Sequence, residues 1–106
     1  MIISTQATSV LYQTICPAIL TKKLEGEIKK TALAAYRAIG CLDFGRVDLR
    51  LGSADKVSVM EINHSPGLMS DINESSFFTI AGHAAGLTFP QMMRKIIDSA
   101  ISRLHI

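Results

Sequence analysis

Gly45-Arg46-Val47-Asp48-Leu49-Arg50-Leu51 is followed, after Gly52-Ser53-Ala54-Asp55, by Lys56-Val57-Ser58-Val59-Met60-Glu61-Ile62-Asn63 and then His64-Ser65-Pro66-Gly67. The first run alternates polar and apolar from Arg46 to Leu51, the period-two signature of a half-buried strand. The second run is rich in strand-forming residues, and Gly-Ser-Ala-Asp between them is turn chemistry. The two runs read as a hairpin. Its simplest loop, residues 52–55, pairs Leu51 with Lys56. Arg46 then lies opposite Glu61, Asp48 opposite Val59 and Phe44 opposite Asn63, so Arg46, Asp48, Glu61 and Asn63 project from one face. In this register Asp48 and Glu61 are diagonal neighbours, about 7–8 Å apart. A one-residue slip would send the polar groups of the two strands to opposite faces.

Asp, Glu and Asn form an oxygen-only donor set, which suits a hard cation, magnesium before zinc or copper, with manganese as a substitute. Magnesium takes one or two carboxylates from a protein and completes its shell with water and substrate phosphates, so the set is unfinished without a phosphate ligand. The plainer alternative is a cross-strand ion pair between Arg46 and Glu61, with Asp48 solvated. Val57 and Val59 share the polar face in this register, which implies that the face is covered by another domain or a flat ligand.

Gly45-Arg46-Val47-Asp48, Glu61-Ile62-Asn63 and Ser65-Pro66-Gly67 resemble the C-terminal segment of D-alanine–D-alanine ligases, members of the ATP-grasp superfamily. Cys16-Pro17-Ala18 is similar to the family's motif before a long helix, and Ala35-Tyr36-Arg37-Ala38-Ile39-Gly40-Cys41 to the end of that helix. Ala84-Ala85-Gly86-Leu87-Thr88-Phe89-Pro90 resembles the opening of the last helix. The likeness covers residues 16–106, and residues 1–15 read as an unmatched N-terminal segment.

The resemblance implies an α+β fold, an antiparallel sheet with flanking helices, as the C-terminal subdomain of an ATP-grasp enzyme. It implies that Asp48 and Glu61 hold one magnesium, and that Glu61 and Asn63 hold a second. Both ions would bridge ATP phosphates while the γ-phosphoryl group moves to the carboxylate of a first D-alanine. The acyl phosphate is then attacked by the amine of a second D-alanine. Arg46 and the backbone N–H of Gly67 would stabilise the resulting oxyanion. Ser76, or Ser75 beside it, would bind the second substrate's carboxylate, and Met60 would lie against adenine, although simple alternation points it away. His64 stands where the family usually has a small residue or Pro, and reads as an exposed spectator.

At 106 residues the chain is one small domain, whereas complete ligases of this kind are about three. The amino-terminal domain, the nucleotide-clamping sheet and the lid have no counterpart here, and no Gly-rich phosphate loop occurs. The chain therefore reads as a half-site, with partners in ATP, D-alanine and the other ligase domains, and close to inert alone.

Thr21 is the expected N-cap of a helix running to Ile39 with Gly40 as its stop, and Leu24, Ile28, Ala32, Ala35 and Ile39 form its apolar stripe. A short helix is expected over 75–85, stopped by Gly86. A final helix begins near Pro90, with Met93, Ile97, Ala100 and Leu104 as its stripe and Met92 and Met93 as core filler. Nothing resembling a linker interrupts the chain, which reads as one compact α+β unit.

The formal charge is +2 with Lys and Arg scattered, so there is no basic stripe for nucleic acid. No apolar run approaches a membrane span, and the N-terminus lacks a signal peptide's basic start. Cys16 and Cys41 fit no metal or disulfide pattern and read as reduced, buried thiols of a cytoplasmic protein. His83 and His105 read as structural.

Three functions remain open: the C-terminal part of an ATP-dependent ligase, a metal-dependent nuclease core, and a non-catalytic remnant or oligomerising module. The nuclease normally needs a Lys where Asn63 stands. The last follows from a hydrophobic content of 48% in so short a chain, which favours an uncovered apolar face and a homo-oligomer.

Overall fold

The computed structural model describes residues 7–8, 14–69 and 77–106. The chain divides into two compact units, Leu20–Ser65 and the combination of Met1–Ile19 with Pro66–Ile106, where the sequence reads as one. The change of unit falls at Pro66, which has no amide to continue a strand ladder.

The first unit holds a helix and a hairpin. Thr21 caps α1 (Lys22–Ala38), its hydroxyl accepting from the Leu24 amide at 3.2 Å. Glu25 and Lys29, one turn apart, pair at 2.8 Å. The helix stops at Ala38 rather than Ile39. There the Gly40 amide donates to the Arg37 carbonyl and the Cys41 amide to that of Tyr36. This reciprocal pair needs a left-handed residue at Gly40, whose φ is +74°. Ile39 thus leaves the apolar stripe and is 60% exposed.

Strands β3 (Arg46–Leu51) and β4 (Val57–Asn63) pair antiparallel, and α1 packs against both. Their loop takes up one more residue than the simplest hairpin. Residues Ser53–Asp55 form a 3-10 turn with positive φ at Ala54 and Asp55, and the Gly52 amide donates to the Lys56 carbonyl at 2.8 Å. Lys56 therefore belongs to the loop, and Leu51 pairs with Val57. A second irregularity follows. Leu49 pairs with Val59 but Asp48 with Glu61, so Met60 is an extra residue in β4. Val57 and Val59 consequently share a face with Leu49 and Leu51, not with the polar cluster. With Thr31, Ala34, Ala35 and Ala38 of α1 they line an open groove of about 840 Å³.

The second unit contains the short antiparallel pair β1 (Ala7–Thr8) and β2 (Thr14–Ile15), and helices α2 (Phe77–Ala84) and α3 (Phe89–Leu104). Gly86, at φ +88°, ends α2 by the same paired bonds as Gly40, with Leu87 and Gly86 amides donating to Gly82 and His83 carbonyls. The ring of His83 is tied to the Leu87 carbonyl at 3.0 Å, a structural use. Thr88 and Gln91 cap α3 reciprocally, at 3.3 and 2.8 Å, with Pro90 in the first turn. Met92 is fully buried and sits against Gly82 of α2. Met92 fills the core as read, whereas Ile97 and Leu104 of the expected stripe are 54% and 53% exposed.

Together these elements make an α+β arrangement, as the resemblance to an ATP-grasp C-terminal subdomain implies. Cys16 and Cys41 are half-buried rather than buried, and neither forms a disulfide. Among the described residues no helix is long and apolar enough to cross a membrane.

Candidate functional site

Directly opposed residues of a sheet share a face. Arg46 is paired with Asn63 and Asp48 with Glu61, so the four polar side chains rise from the same side of the hairpin base. The expected pairings of Arg46 with Glu61, Asp48 with Val59 and Phe44 with Asn63 are replaced, yet the common face survives. The longer loop shifts the register by one residue and Met60 shifts it by another. Two slips restore the parity that one would destroy.

Asp48 and Glu61 are thereby closer than diagonal neighbours, since directly opposed Cβ atoms lie about 4.5–5.5 Å apart. Like charges so placed repel. Arg46 relieves part of this repulsion. Its Nε donates to one oxygen of Asp48 at 2.9 Å and its Nη2 to the other at 3.1 Å, a two-point fork. The guanidinium is thus engaged with Asp48 along its own strand, not with Glu61 across the hairpin. Strict alternation puts residues two apart on one face, so this contact was available to sequence reasoning and was missed.

Asn63 closes the strand. Its Oδ1 accepts from the Ser65 amide at 3.1 Å, bending the chain toward Pro66. Tyr36 of α1 stands at Gly45, just ahead of β3, with no room for a side chain between them. Burial pushes its phenol above the usual value, helped by Cys41 and then Asp43. Tyr36 braces the base of the hairpin, another role the sequence did not announce, although a Gly directly before a strand marks close approach.

Met60 is 64% exposed in the irregular position of β4, where alternation no longer fixes its direction. His64 is exposed after the strand. Gly67 lies in the second unit, exposed next to the buried Pro66. Ser76 and its neighbour Ser75 fall outside the described residues.

No group of three His, Cys, Asp or Glu side chains able to hold a metal occurs among the described residues. Two carboxylates and a carboxamide remain on the hairpin face. Among the described residues this set falls short of a complete cage, and it fits magnesium, which keeps several waters and recruits phosphate oxygens.

Residues 5–98 match the family model described as "D-ala D-ala ligase C-terminus". The chain is 39% identical over 88 residues to the D-alanine–D-alanine ligase of Methylacidiphilum infernorum, covering 83% of this chain and 28% of that protein. It is 38% identical over 87 residues to the enzyme so named from Methylibium petroleiphilum, covering 81% and 26%. With that of Baumannia cicadellinicola the identity is 33% over 91 residues, covering 86% and 23%. The chain spans about a quarter of the length of these curated relatives.

Proposed function

The chain belongs to the D-ala D-ala ligase C-terminus family, and from that membership we propose that it is the C-terminal part of an ATP- and magnesium-dependent D-alanine–D-alanine ligase. The observation that carries the site assignment is the direct opposition of Asp48 and Glu61 on a face shared with Asn63. Asp48 and Glu61 would hold one magnesium, and Glu61 with Asn63 a second, manganese being the natural substitute. When bound, such ions neutralise charge on the ATP phosphates during transfer to a substrate carboxylate.

The remaining residues act by hydrogen bonding and placement. Arg46 and the Gly67 amide donate to the oxyanion that forms when the second D-alanine's amine attacks the activated carboxyl. The Ser76 hydroxyl receives that substrate's carboxylate, and exposed Met60 offers an apolar surface to adenine. The product would be the dipeptide used in peptidoglycan precursors, made in the cytoplasm. Since the chain matches about a quarter of its relatives, the reaction requires their other portions to supply the nucleotide clamp and the first-substrate site.

The test is complementation. Phosphate release from ATP with D-alanine is measured for this chain, for the remaining portion of a related ligase, and for the mixture. Activity should appear only in the mixture and vanish with Glu61→Gln. A mixture that stays inactive, or one indifferent to Glu61→Gln, overturns the proposal.

A second reading, an oligomerising module without catalysis, is favoured by a thin core. Among the described residues the large apolar side chains in the core are Phe78 and Met92, with Pro66 also buried, whereas Ile19, Leu42, Ile97 and Ile101 are exposed. Sedimentation showing a stable homo-oligomer with no magnesium-nucleotide binding would support it.

A further inference from the structure

Both oxygens of Asp48 are taken by one guanidinium, through Nε at 2.9 Å and Nη2 at 3.1 Å. A carboxylate has about four lone-pair sites, and a forked guanidinium occupies the two that point forward between its oxygens. Glu61 stands directly opposite on the neighbouring strand. Any cation shared by these carboxylates meets a positive group already seated on one of them. We propose that Arg46 is the resident counter-ion of Asp48 and competes with the divalent cation for it, so that cation binding and release of the guanidinium are a single event. The inference rests on the cation site proposed above, and goes beyond it by fixing an order. Arg46 is withheld from substrate oxygens until the cation has taken its place on Asp48.

The geometry favours exchange over coexistence. Asp48 and Arg46 sit two residues apart on one strand face, so the guanidinium reaches Asp48 without leaving the cluster. The opposed pair of carboxylates needs positive charge whether or not a cation is present. Arg46 supplies it in one state, and the cation in the other. The side chain is only half-buried, so water can take up the donors it withdraws from Asp48. Released, it remains beside Asn63, its cross-strand partner, on the face where substrate would lie.

A positioning role for Arg46 makes the opposite forecast. If the fork merely orients Asp48 for the ion, removing it weakens binding. The experiment is Mn²⁺ titration of the 106-residue chain by electron paramagnetic resonance, for the native sequence, Arg46→Gln and Arg46→Lys. Competition predicts that Arg46→Gln binds Mn²⁺ about fivefold more tightly, the scale of a half-exposed ion pair. Arg46→Lys, which keeps charge but not the fork, should fall between. Asp48→Asn and Glu61→Gln should each weaken binding.

The native chain gives an independent readout if the variants do not fold. The Arg46 Nε–H resonance should exchange slowly with water without cation, and lose that protection on adding Mg²⁺. Weaker or unchanged Mn²⁺ binding by folded Arg46→Gln overturns the competition. So does protection of Nε–H that persists at saturating Mg²⁺. If Mn²⁺ binding is absent, or indifferent to Asp48→Asn and Glu61→Gln, the cation site itself fails and takes this inference with it.

Discussion

Gly45 and Tyr36 approach so closely that a Cβ on the glycine would lie 2.7 Å from Cε2 of the ring and 3.2 Å from Cδ2. The same atom would come within 3.3 Å of the Asn63 carbonyl oxygen, on the opposite strand. Helix, strand start and strand end thus meet at one point. Gly45→Ala should destabilise the chain by about 1–3 kcal/mol through overpacking. Urea denaturation checks this, and Tyr36→Ala in the same chain should relieve part of the loss, because the two sites are coupled.

Tyr36 also predicts a pH dependence. Its folded pKa is raised from the ordinary 10.0 by burial first, then by Cys41 and Asp43. The folded chain therefore favours the neutral phenol. The contribution to stability is fully present below 10.0, and is lost as pH rises past that value toward the higher folded one. Comparing melting curves of the native chain and Tyr36→Phe between pH 8 and 11 should show a steeper decline in the native chain.

Two glycines, one inside α1 and one just past its end, should respond with opposite sign. Gly40 has φ +74° and its amide closes the helix, so Gly40→Ala should cost about 1–2 kcal/mol from left-handed strain alone. Gly26 lies inside the helix with nothing within 4 Å of a built Cβ, so Gly26→Ala should gain up to about 1 kcal/mol. Thermal unfolding of both variants checks the pair. Equal shifts would mean that backbone conformation is not what distinguishes the two sites.

In the second unit, Gly82→Ala should be costly for a different reason. A built Cβ would collide with the sulfur and terminal methyl of Met92. A flexible side chain usually yields, but Met92 is fully buried, so any shift of its end disturbs the packing around it. A loss of about 1–3 kcal/mol is expected. Met92→Ala in the Gly82→Ala background should cost less than in the native chain, as a double-mutant cycle would reveal.

The features legible in sequence were those set by local chemistry. Thr21 as a cap, Gly40 and Gly86 as stops, and Pro90 in a first turn each follow from a donor to satisfy or a dihedral to accommodate. The hairpin and its polar face were legible for the same reason, because alternation in β3 is uninterrupted. The register was not. Nothing in the composition of Met60 marks it as an extra residue, and nothing in Lys56 says that the turn will absorb it. Val57 and Val59 were therefore assigned to the wrong side, while Glu61 and Asn63, beyond both shifts, were assigned correctly.

Helical stripes failed in another way. Periodicity finds an apolar face, but it cannot say what covers it. Ile39 left its stripe because the helix stopped one residue early. Ile97 and Leu104 kept helical spacing and are exposed all the same. Met92, one position away from the predicted stripe, became the buried residue because Gly82 leaves a hollow of its shape.

Met60 has no partner across the hairpin, whereas the residues before and after it each do. Excising it would let Val59 and Glu61 keep their present mates on an unbroken ladder. Sheet formation thus makes no demand on this position, which can change its side chain, or disappear, without disturbing either neighbour's alignment. Freedom of that sort, one step from Glu61, leaves the spot open to tuning for whatever molecule passes over the strand.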